Sequence, residues 1–298
     1  PPHTTTPRAS RRQRQMCIRD SLLMGLIFSL VALGLTIIFG VMDIVNFAHG
    51  EFLMVGMYAA YWCYLLLGLD PVLGIPASIA AGVILGLASY YMLVKHLLRG
   101  PVIAQLFGTF GLMLFIRYLA LFFWGPNFRV VDKGWLIGKS TVLGGEIVLD
   151  LAKIVPALIS ILAFFAISYL MNRTSIGKAL KATAIDAEAA GYMGIHTDRM
   201  NALAWAIGGG TVGLAGALLV NFWYVNPNVG LLFVMIAFAT VALGGFGSLK
   251  GAFYAGMIIG VLETLMGIKA PTFKFTVVYA AFFLIVVFRP QGLFGWKR

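Results

Sequence analysis

The chain has 298 residues, of which 60% are hydrophobic and only 11% are charged, and its mean hydropathy is +0.93. This composition excludes a soluble globular domain, because a membrane-spanning helix needs about 20 mostly apolar residues and such runs fill most of the sequence. The formal net charge of +11 does not indicate a nucleic-acid partner, because much of the excess lies in the first twenty residues.

Residues 1–20 differ from the rest of the chain. They are polar, and residues 11–20 correspond to one reading frame of a transposon adapter used in sequencing libraries, RRQRQMCIRD. A signal peptide is the alternative, but no short apolar core with a small-residue cleavage site follows. We therefore expect a non-native, disordered leader at 1–20 and a single transmembrane domain at 21–298. Without the five arginines and one aspartate of the leader, the net charge falls from +11 to +7.

Nine apolar runs follow the leader, and they predict an all-α, polytopic bundle with eight or nine membrane-spanning segments. The runs are 22–41, 52–69, 72–94, 102–124, 154–171, 202–224, 231–246, 252–268 and 275–288.

Lysine and arginine in short loops mark the cytoplasmic side of a membrane protein. They collect at Lys95 and Arg99, at 173–199, and at the C-terminus. These positions are therefore predicted to be cytoplasmic, with 125–153 and 226–228 outside. Lys269 and Lys274 fall outside on this count, against the rule.

The first polar interruption lies at residues 43–51, between the first two runs. Ionisable groups inside a membrane are costly and usually functional, so Asn46, His49, Gly50 and Glu51 are candidates for the translocation path or a hinge. Residues 42–51 form either a loop or a break within one span. The chain has no His-Glu-x-x-His motif, and we expect no metal ligand and no catalytic residue.

Two further features lie inside the spans. Arg117 and Glu263 are lone charges, and we expect them to pair with each other. Glycines four residues apart let helix backbones approach closely, and they are expected to pack within the bundle. These pairs are Gly82 and Gly86, Gly209 and Gly213, and Gly256 and Gly260.

Residues 172–201, called the polar segment here, are predicted to form two short amphipathic helices on which a partner docks. Ser175 is placed to cap the first helix, with Lys178 and Lys181 opposite its apolar stripe. That stripe consists of Ile176, Ala179, Leu180, Thr183 and Ala184.

The second helix of the polar segment has its own start and stop signals. Asp186 is placed to cap it, and Glu188 lies in the first turn, where the helix dipole favours an anion. Gly194 is expected to end it in a left-handed conformation, followed by the apolar Ile195.

A glycine-rich stretch begins at Gly244 and Gly245, which are further hinge candidates. The sequence GGFGSLKG does not match the phosphate-binding loop pattern and follows an apolar run rather than a strand. A tight turn between two spans is predicted, and the chain carries no ATPase motif of its own.

Four motifs occur in order at plausible spacings: NFAHGE at 46–51, RTSxGxA at 173–179, EAAxxxGI at 188–195 and LGGxGS at 243–248. Over residues 22–298 the chain resembles the permease subunit of bacterial branched-chain amino acid ABC importers, the LivH type. It departs from the family at residues 29–32, where a Tyr-Ala-Leu-like stretch is usual.

The resemblance implies a bacterial inner-membrane importer. Its partners would be a second, homologous permease subunit, two cytoplasmic ATPase subunits that bind the ATP, and a periplasmic binding protein that delivers leucine, isoleucine or valine. This chain would bind no cofactor. The resemblance places an ATPase-coupling helix around 188–194, with these coupling residues: Arg173, Gly177, Glu188, Ala189, Ala190 and Gly194.

Other functions remain open at this point. Permeases for urea, short amides or other amino acids belong to the same family. An ion-coupled secondary transporter would need charged or unwound midplane sites in two halves and no docking segment. An intramembrane enzyme would need a paired catalytic motif, which the sequence lacks, so the chain is not predicted to be an enzyme.

Overall fold

The computed structural model describes residues 7–98, 100–143, 147–289 and 291–295. Eight helices in these ranges are long and apolar enough to cross a membrane, and Val229–Gly244 is a shorter apolar helix. Each of the nine apolar runs coincides with one of these helices. The predicted all-α, polytopic bundle is therefore confirmed.

The α-helices of the described ranges are, in chain order, α1 (Pro7–Met42), α2 (His49–Leu67), α3 (Ile75–Ser89), α4 (Lys95–Leu97), α5 (Val102–Trp124), α6 (Leu151–Arg173), α7 (Ser175–Ile185), α8 (Ala187–Tyr192), α9 (Thr197–Leu219), α10 (Val229–Gly244), α11 (Leu249–Lys269) and α12 (Lys274–Phe288). A π-helical turn, Tyr90–Val94, joins α3 to α4, and a 3₁₀ turn, Pro271–Phe273, precedes α12.

The connection between α5 and α6 contains a short antiparallel β-hairpin. It consists of β1 (Ser140–Leu143) and β2 (Ile147–Asp150), with Ser140 opposite Asp150 and Leu143 opposite Ile147. The sequence predicts only a long outer segment here. Its strands could not be recognised, because four residues are too few to show a clear alternation of apolar and polar side chains.

The disorder predicted for the leader is wrong for residues 7–20, which continue α1 without a break. Residues 8–20 contain no glycine or proline and are rich in arginine and glutamine, which favour helices, so the helix of the first span extends through them. Lys153 at the start of α6 donates a hydrogen bond to Asp20 (2.7 Å). Residues 1–6 lie outside the described ranges, and the non-native origin of the leader stays a prediction.

Helices α1 and α9 form the centre of the bundle. In each of these helices, 83% of the most apolar 18-residue stretch is buried, whereas only 6% of the corresponding stretch is buried in the segment that ends in α12. Glycines make the close contacts: a Cβ on Gly82 of α3 would overlap the carbonyl oxygen of Gly209 in α9, and one on Gly256 of α11 would overlap Ser29 in α1. The expected packing of the glycine pairs within the bundle is confirmed.

The basic side chains that were predicted to be cytoplasmic lie, where they are described, at one end of the bundle, called the basic end. Lys95 forms an ion pair with Asp198 in the polar segment. The end of α1 and Lys181 line the same small cavity. After α12, the Leu293 N–H donates to the Leu243 carbonyl (2.8 Å). Arg99, Lys297 and Arg298 lie outside the described ranges.

The opposite end carries the long connection between α5 and α6. There Arg129 pairs with Val225, between α9 and α10, through two backbone hydrogen bonds of 2.9 and 2.8 Å. Asp70, which follows α2, accepts a hydrogen bond from the Trp135 N–H. The two sets of loops expected on opposite sides of the membrane are therefore at opposite ends of the bundle.

Candidate functional site

The first helix of the polar segment, α7, is fixed to the end of α6 by its N-cap. Thr174 Oγ1 accepts a hydrogen bond from the Gly177 N–H (3.1 Å) and donates one to the Leu170 carbonyl (2.6 Å). The predicted cap at Ser175 is wrong by one residue, because Ser175 is the first helical residue and the cap is the residue before it.

The buried face of α7 is narrower than predicted. Gly177, Leu180 and Thr183 are buried, whereas Ile176, expected in the stripe, is 45% exposed. Gly177 lies so close to α6 that a Cβ would overlap its last backbone carbonyls. Gly177 therefore positions α7 on α6, while Arg173 is exposed at the end of α6.

The second helix, α8, begins and ends as the sequence predicts. Asp186 Oδ1 accepts hydrogen bonds from the N–H of Glu188 and of the residue after it, both at 2.9 Å. Gly194 has a φ of +83°, and the Ile195 N–H donates to the Ala190 carbonyl (3.0 Å). This is the left-handed helix end in which the N–H two residues beyond the cap satisfies an otherwise free carbonyl.

Three large apolar side chains of the polar segment point away from the bundle. Ile185, Tyr192 and Met193 are 87%, 82% and 84% exposed. Tyr192 donates a hydrogen bond through its hydroxyl to Glu188 Oε1 (2.8 Å), which fixes the ring beside α8. In the sequence, these residues are recognisable as large apolar side chains within or next to α8 that do not belong to the apolar stripe of α7. Exposed apolar groups clustered in this way typically mark a protein contact.

The second region is the motif at residues 46–51, where the chain enters α2. Helix α1 ends at Met42, residues 43–46 are not helical, and α2 starts at His49. His49 contacts Val31, eleven residues before the end of α1, which is about 16 Å along the helix. The chain therefore turns back into the bundle before α2 begins. Residues 43–48 are therefore a non-helical connection between two separate helices, as in the loop alternative, and not a break within one span.

Successive residues of this motif contact different parts of the bundle. Asn46 Oδ1 accepts a hydrogen bond from the N–H two residues later (3.0 Å), which stabilises the turn that precedes α2. His49 Nε2 donates to the Val31 carbonyl of α1 (2.9 Å). Gly50 lies against α10, where a Cβ would overlap the Gly230 carbonyl. All three motif residues are buried.

Glu51 connects the motif to α5 through an ion pair with Arg117. Glu51 Oε1 accepts from Arg117 Nε (3.0 Å) and from Arg117 Nη2. The exposed fractions of the two side chains are 0% and 11%. The predicted pairing of Arg117 with Glu263 is wrong: Glu263 pairs with Lys274 of α12 (3.4 Å). Helix α5 packs on α2, whereas α11 packs mainly on α1.

Three buried polar atoms of the motif have no hydrogen-bond partner within the described part of the chain: Asn46 Nδ2, His49 Nδ1 and Glu51 Oε2. His49 faces Gly34 of α1, whereas Glu51 Oε2 faces Gly230 of α10. The histidine and the glutamate thus face different helices. The motif therefore contacts several helices, and its role in the translocation path or as a hinge stays a prediction.

The remaining candidates, Gly244 and Gly245, lie at the basic end, away from the motif. Gly244 packs on the backbone of Gly251, and Gly245, at a φ of +96°, packs on Gly292 and Gly295 after α12. The predicted tight turn between two spans is confirmed. The positive φ explains why this position favours glycine.

A groove of about 760 Å³ lies between α3 and α5. Its lining is almost entirely apolar and includes Val55 of α2, one helical turn after Glu51, and Ile116 of α5, next to Arg117. The Glu51–Arg117 pair therefore fastens α5 beside the groove. The groove was not predicted, because its walls read only as two ordinary apolar spans.

The family model described as the permease component of a branched-chain amino acid transport system matches residues 17–288. The high-affinity branched-chain amino acid transport permease LivH of Salmonella typhimurium is 29% identical over 286 residues, covering 91% of this chain and 92% of that protein. The corresponding BraD protein of Pseudomonas aeruginosa is 28% identical, covering 93% and 94%.

One solved structure shares the fold. A chain of PsaBC from Streptococcus pneumoniae, in complex with a Fab, superposes with a TM-score of 0.51 at 14% identity, over 94% of each chain. Since the family model matches nearly the whole bundle, the chain is a multi-pass membrane protein that belongs to the family of permease components of branched-chain amino acid transport systems.

Proposed function

We propose that this chain is the membrane-spanning subunit of an ABC importer that moves leucine, isoleucine and valine across the bacterial inner membrane. The observation that carries the proposal is the polar segment: two capped helices at the basic end, from which Ile185, Tyr192 and Met193 project away from the bundle.

The polar segment has the properties of a docking element for an ATPase subunit. Helix α8 is short, its exposed face combines Glu188 and Ala189 with the apolar Tyr192 and Met193, and Ala190 turns inward. A short amphipathic helix of this kind fits a groove on a partner. In this proposal Glu188, Ala189 and Gly194 meet or shape the contact, while Ala190 and Gly177 hold the helices on the bundle.

The motif at 46–51 is the second element of the proposal. It is a buried junction around which the helices would reorient when the docking helices move. It connects α2 with α1, α10 and α5 through His49, Gly50 and Glu51. ATP binding would close the ATPase subunits and displace α7 and α8, which shifts the bundle between inward-open and outward-open states. The three motif residues act as a hinge in this proposal.

The remaining partners follow from the family. A second, homologous permease subunit would complete the path, two ATPase subunits would bind the ATP, and a periplasmic binding protein would select the substrate. The names of LivH and BraD support branched-chain amino acids over urea or short amides. This chain would need no cofactor of its own.

The test measures ATPase co-purification and leucine uptake in a complex of this chain with a second permease subunit, ATPase subunits and a binding protein. We expect Glu188→Ala to leave membrane insertion intact and to weaken ATPase association by about tenfold, or about 1.4 kcal/mol. Gly194→Leu should act in the same direction, because its φ of +83° disfavours a side chain.

Lys133→Ala, an exposed residue near the opposite end, is the matched control and should change neither quantity. Wild-type association and wild-type leucine uptake in both polar-segment variants would contradict the coupling role. Uptake of urea but not of leucine by the wild-type complex would contradict the substrate class.

A further inference from the structure

Asp198, which follows α8 in the chain, connects the polar segment to the π-helical turn and to α4, which continue α3. It lies in the first turn of α9. Its Oδ1 accepts a hydrogen bond from the Tyr90 hydroxyl (2.7 Å), and its Oδ2 accepts one from Lys95 Nζ (2.8 Å). Hydrogen bonds to an ionised carboxylate are shorter and stronger than neutral ones, so two donors from neighbouring turns hold this aspartate firmly.

The π-helical turn at Tyr90–Val94 allows Tyr90 and Lys95 to donate to the same carboxylate. In a regular α-helix two residues five positions apart are separated by about 140° around the axis. A π turn pairs residue i with residue i+5, which brings Tyr90 and Lys95 towards the same side. Such turns occur frequently at functional sites, and here the turn aims both donors at one carboxylate.

Helices α3 and α9 are also packed backbone to backbone along their length. A Cβ on Gly82 would overlap Gly209, one on Gly86 would overlap Trp205, and one on Gly213 would overlap the carbonyl of α3 residue 78. Contacts this close leave no room for sliding, because interiors respond to strain as packed solids. The two helices therefore form one stiff unit, with Asp198 at its basic end.

Helix α5, on the other side of the groove, is attached to a different helix. It is fastened to α2 by the Glu51–Arg117 pair and by the stacking of Trp124 on Tyr58, whose ring centroids are 3.9 Å apart. Helix α2 itself packs closely on α9, since a Cβ on Gly56 would overlap the α9 backbone. The groove therefore separates α5, which is held on α2 by side chains, from α3 and the π-helical turn that follows it.

We infer that Asp198 is a positioning residue that transmits displacement of the polar segment to the π-helical turn and α4, so that these residues move with α9 against α5 across the groove. This inference rests on the proposed function, since it assigns a role within ATPase coupling. Without the Asp198 contacts, α8 would still bind the ATPase, but its displacement would no longer reach the π-helical turn and α4, which lie beyond the close contacts of α3 with α9.

The experiment measures leucine taken up per ATP hydrolysed by the complete complex in proteoliposomes. We expect Asp198→Asn to lower this ratio at least about fivefold, the lower limit of typical coupling between sites. ATPase association and ATP hydrolysis should persist. Tyr90→Phe, which removes one donor, should lower the ratio less. The exchanged pair Lys95→Asp with Asp198→Lys should restore part of the ratio, which a purely structural role would not explain.

Lys153→Gln is the control, because it removes an ion pair of similar length (2.7 Å) at the opposite end and should leave the ratio unchanged. A wild-type ratio in both Asp198→Asn and Tyr90→Phe would overturn this inference alone, as would loss of ATPase association in Asp198→Asn. Failure of the wild-type complex to bind any ATPase subunit would overturn the proposed function and the inference with it.

Discussion

The polar segment and the motif at 46–51 are the two polar regions singled out in an apolar chain, and they are stabilised in opposite ways. The polar segment is exposed, and its helices are held by contacts between near neighbours, such as Thr174 to Gly177 and Asp186 to Glu188. The motif is buried, and its contacts reach distant helices, such as Glu51 to Arg117. In the proposed function, the first region meets a partner and the second holds the bundle together.

This difference separates local from global stability. Exposed caps fix one helix end and contribute little to the rest of the fold. A buried charge must keep its partner, because leaving it unpaired in a low-dielectric interior is costly. Mutations in the motif should therefore destabilise the whole protein, whereas mutations of the two helix caps in the polar segment should affect α7 and α8 alone.

The largest expected effect is at the buried ion pair. Arg117→Ala leaves Glu51 buried and unpaired, which should lower the free energy of unfolding by about 3–5 kcal/mol, measured by denaturation in detergent. Combining Glu51→Gln with Arg117→Gln should recover part of the loss, because no charge is left unpaired. Purely additive effects of the two substitutions would contradict the pairing. Arg173→Ala, at the exposed end of α6, is the control and should change stability by less than about 0.5 kcal/mol.

A smaller effect is expected where α2 touches α10. Gly230→Ala places a methyl group against Gly50 and Glu51, and overpacking of this kind costs about 1–3 kcal/mol. Gly111→Ala is the matched substitution, since nothing lies within 4 Å of its Cβ position, and alanine is the better helix former. Equal thermal stability of the two variants would show that α2 and α10 are not in close contact.

The smallest effect is expected at the cap of α8. Asp186→Ala should destabilise this helix by about 1 kcal/mol, seen as faster amide hydrogen exchange at Glu188 with little change in the global unfolding temperature. A fall in that temperature as large as that of Arg117→Ala would mean that the polar segment is part of the main fold, and the contrast between the two regions would fail.

The sequence predictions are accurate where they depend on neighbouring residues and fail where they depend on contacts between distant helices. The cap at Asp186, the left-handed Gly194 and the nine apolar helices depend on residues near each other in the chain, and all are found in the structure. The predicted cap at Ser175 missed by one residue, because Thr174 and Ser175 are both good caps and only the backbone decides between them.

The partner of Arg117 could not be predicted, because it depends on which helices are neighbours. An apolar span carries little information about its neighbours, so Glu51 and Glu263 were equivalent choices from the sequence. The groove between α3 and α5 was hidden for the same reason. The motif at 46–51 was recognisable as unusual, but its contacts with three separate helices became evident only in three dimensions.

The measurement that most directly tests the central claim is site-specific cross-linking in the assembled complex. A photoactivatable cross-linker is attached to Met193→Cys, in a background in which Cys17 and Cys63 are replaced by serine. Phe128→Cys, at a residue 69% exposed at the opposite end, serves as the matched position. We predict that position 193 cross-links to the ATPase subunit, to an extent that changes with ATP, and that position 128 does not. Absence of an ATPase cross-link from position 193, or an equal yield from position 128, would contradict the assignment of the polar segment as the docking element.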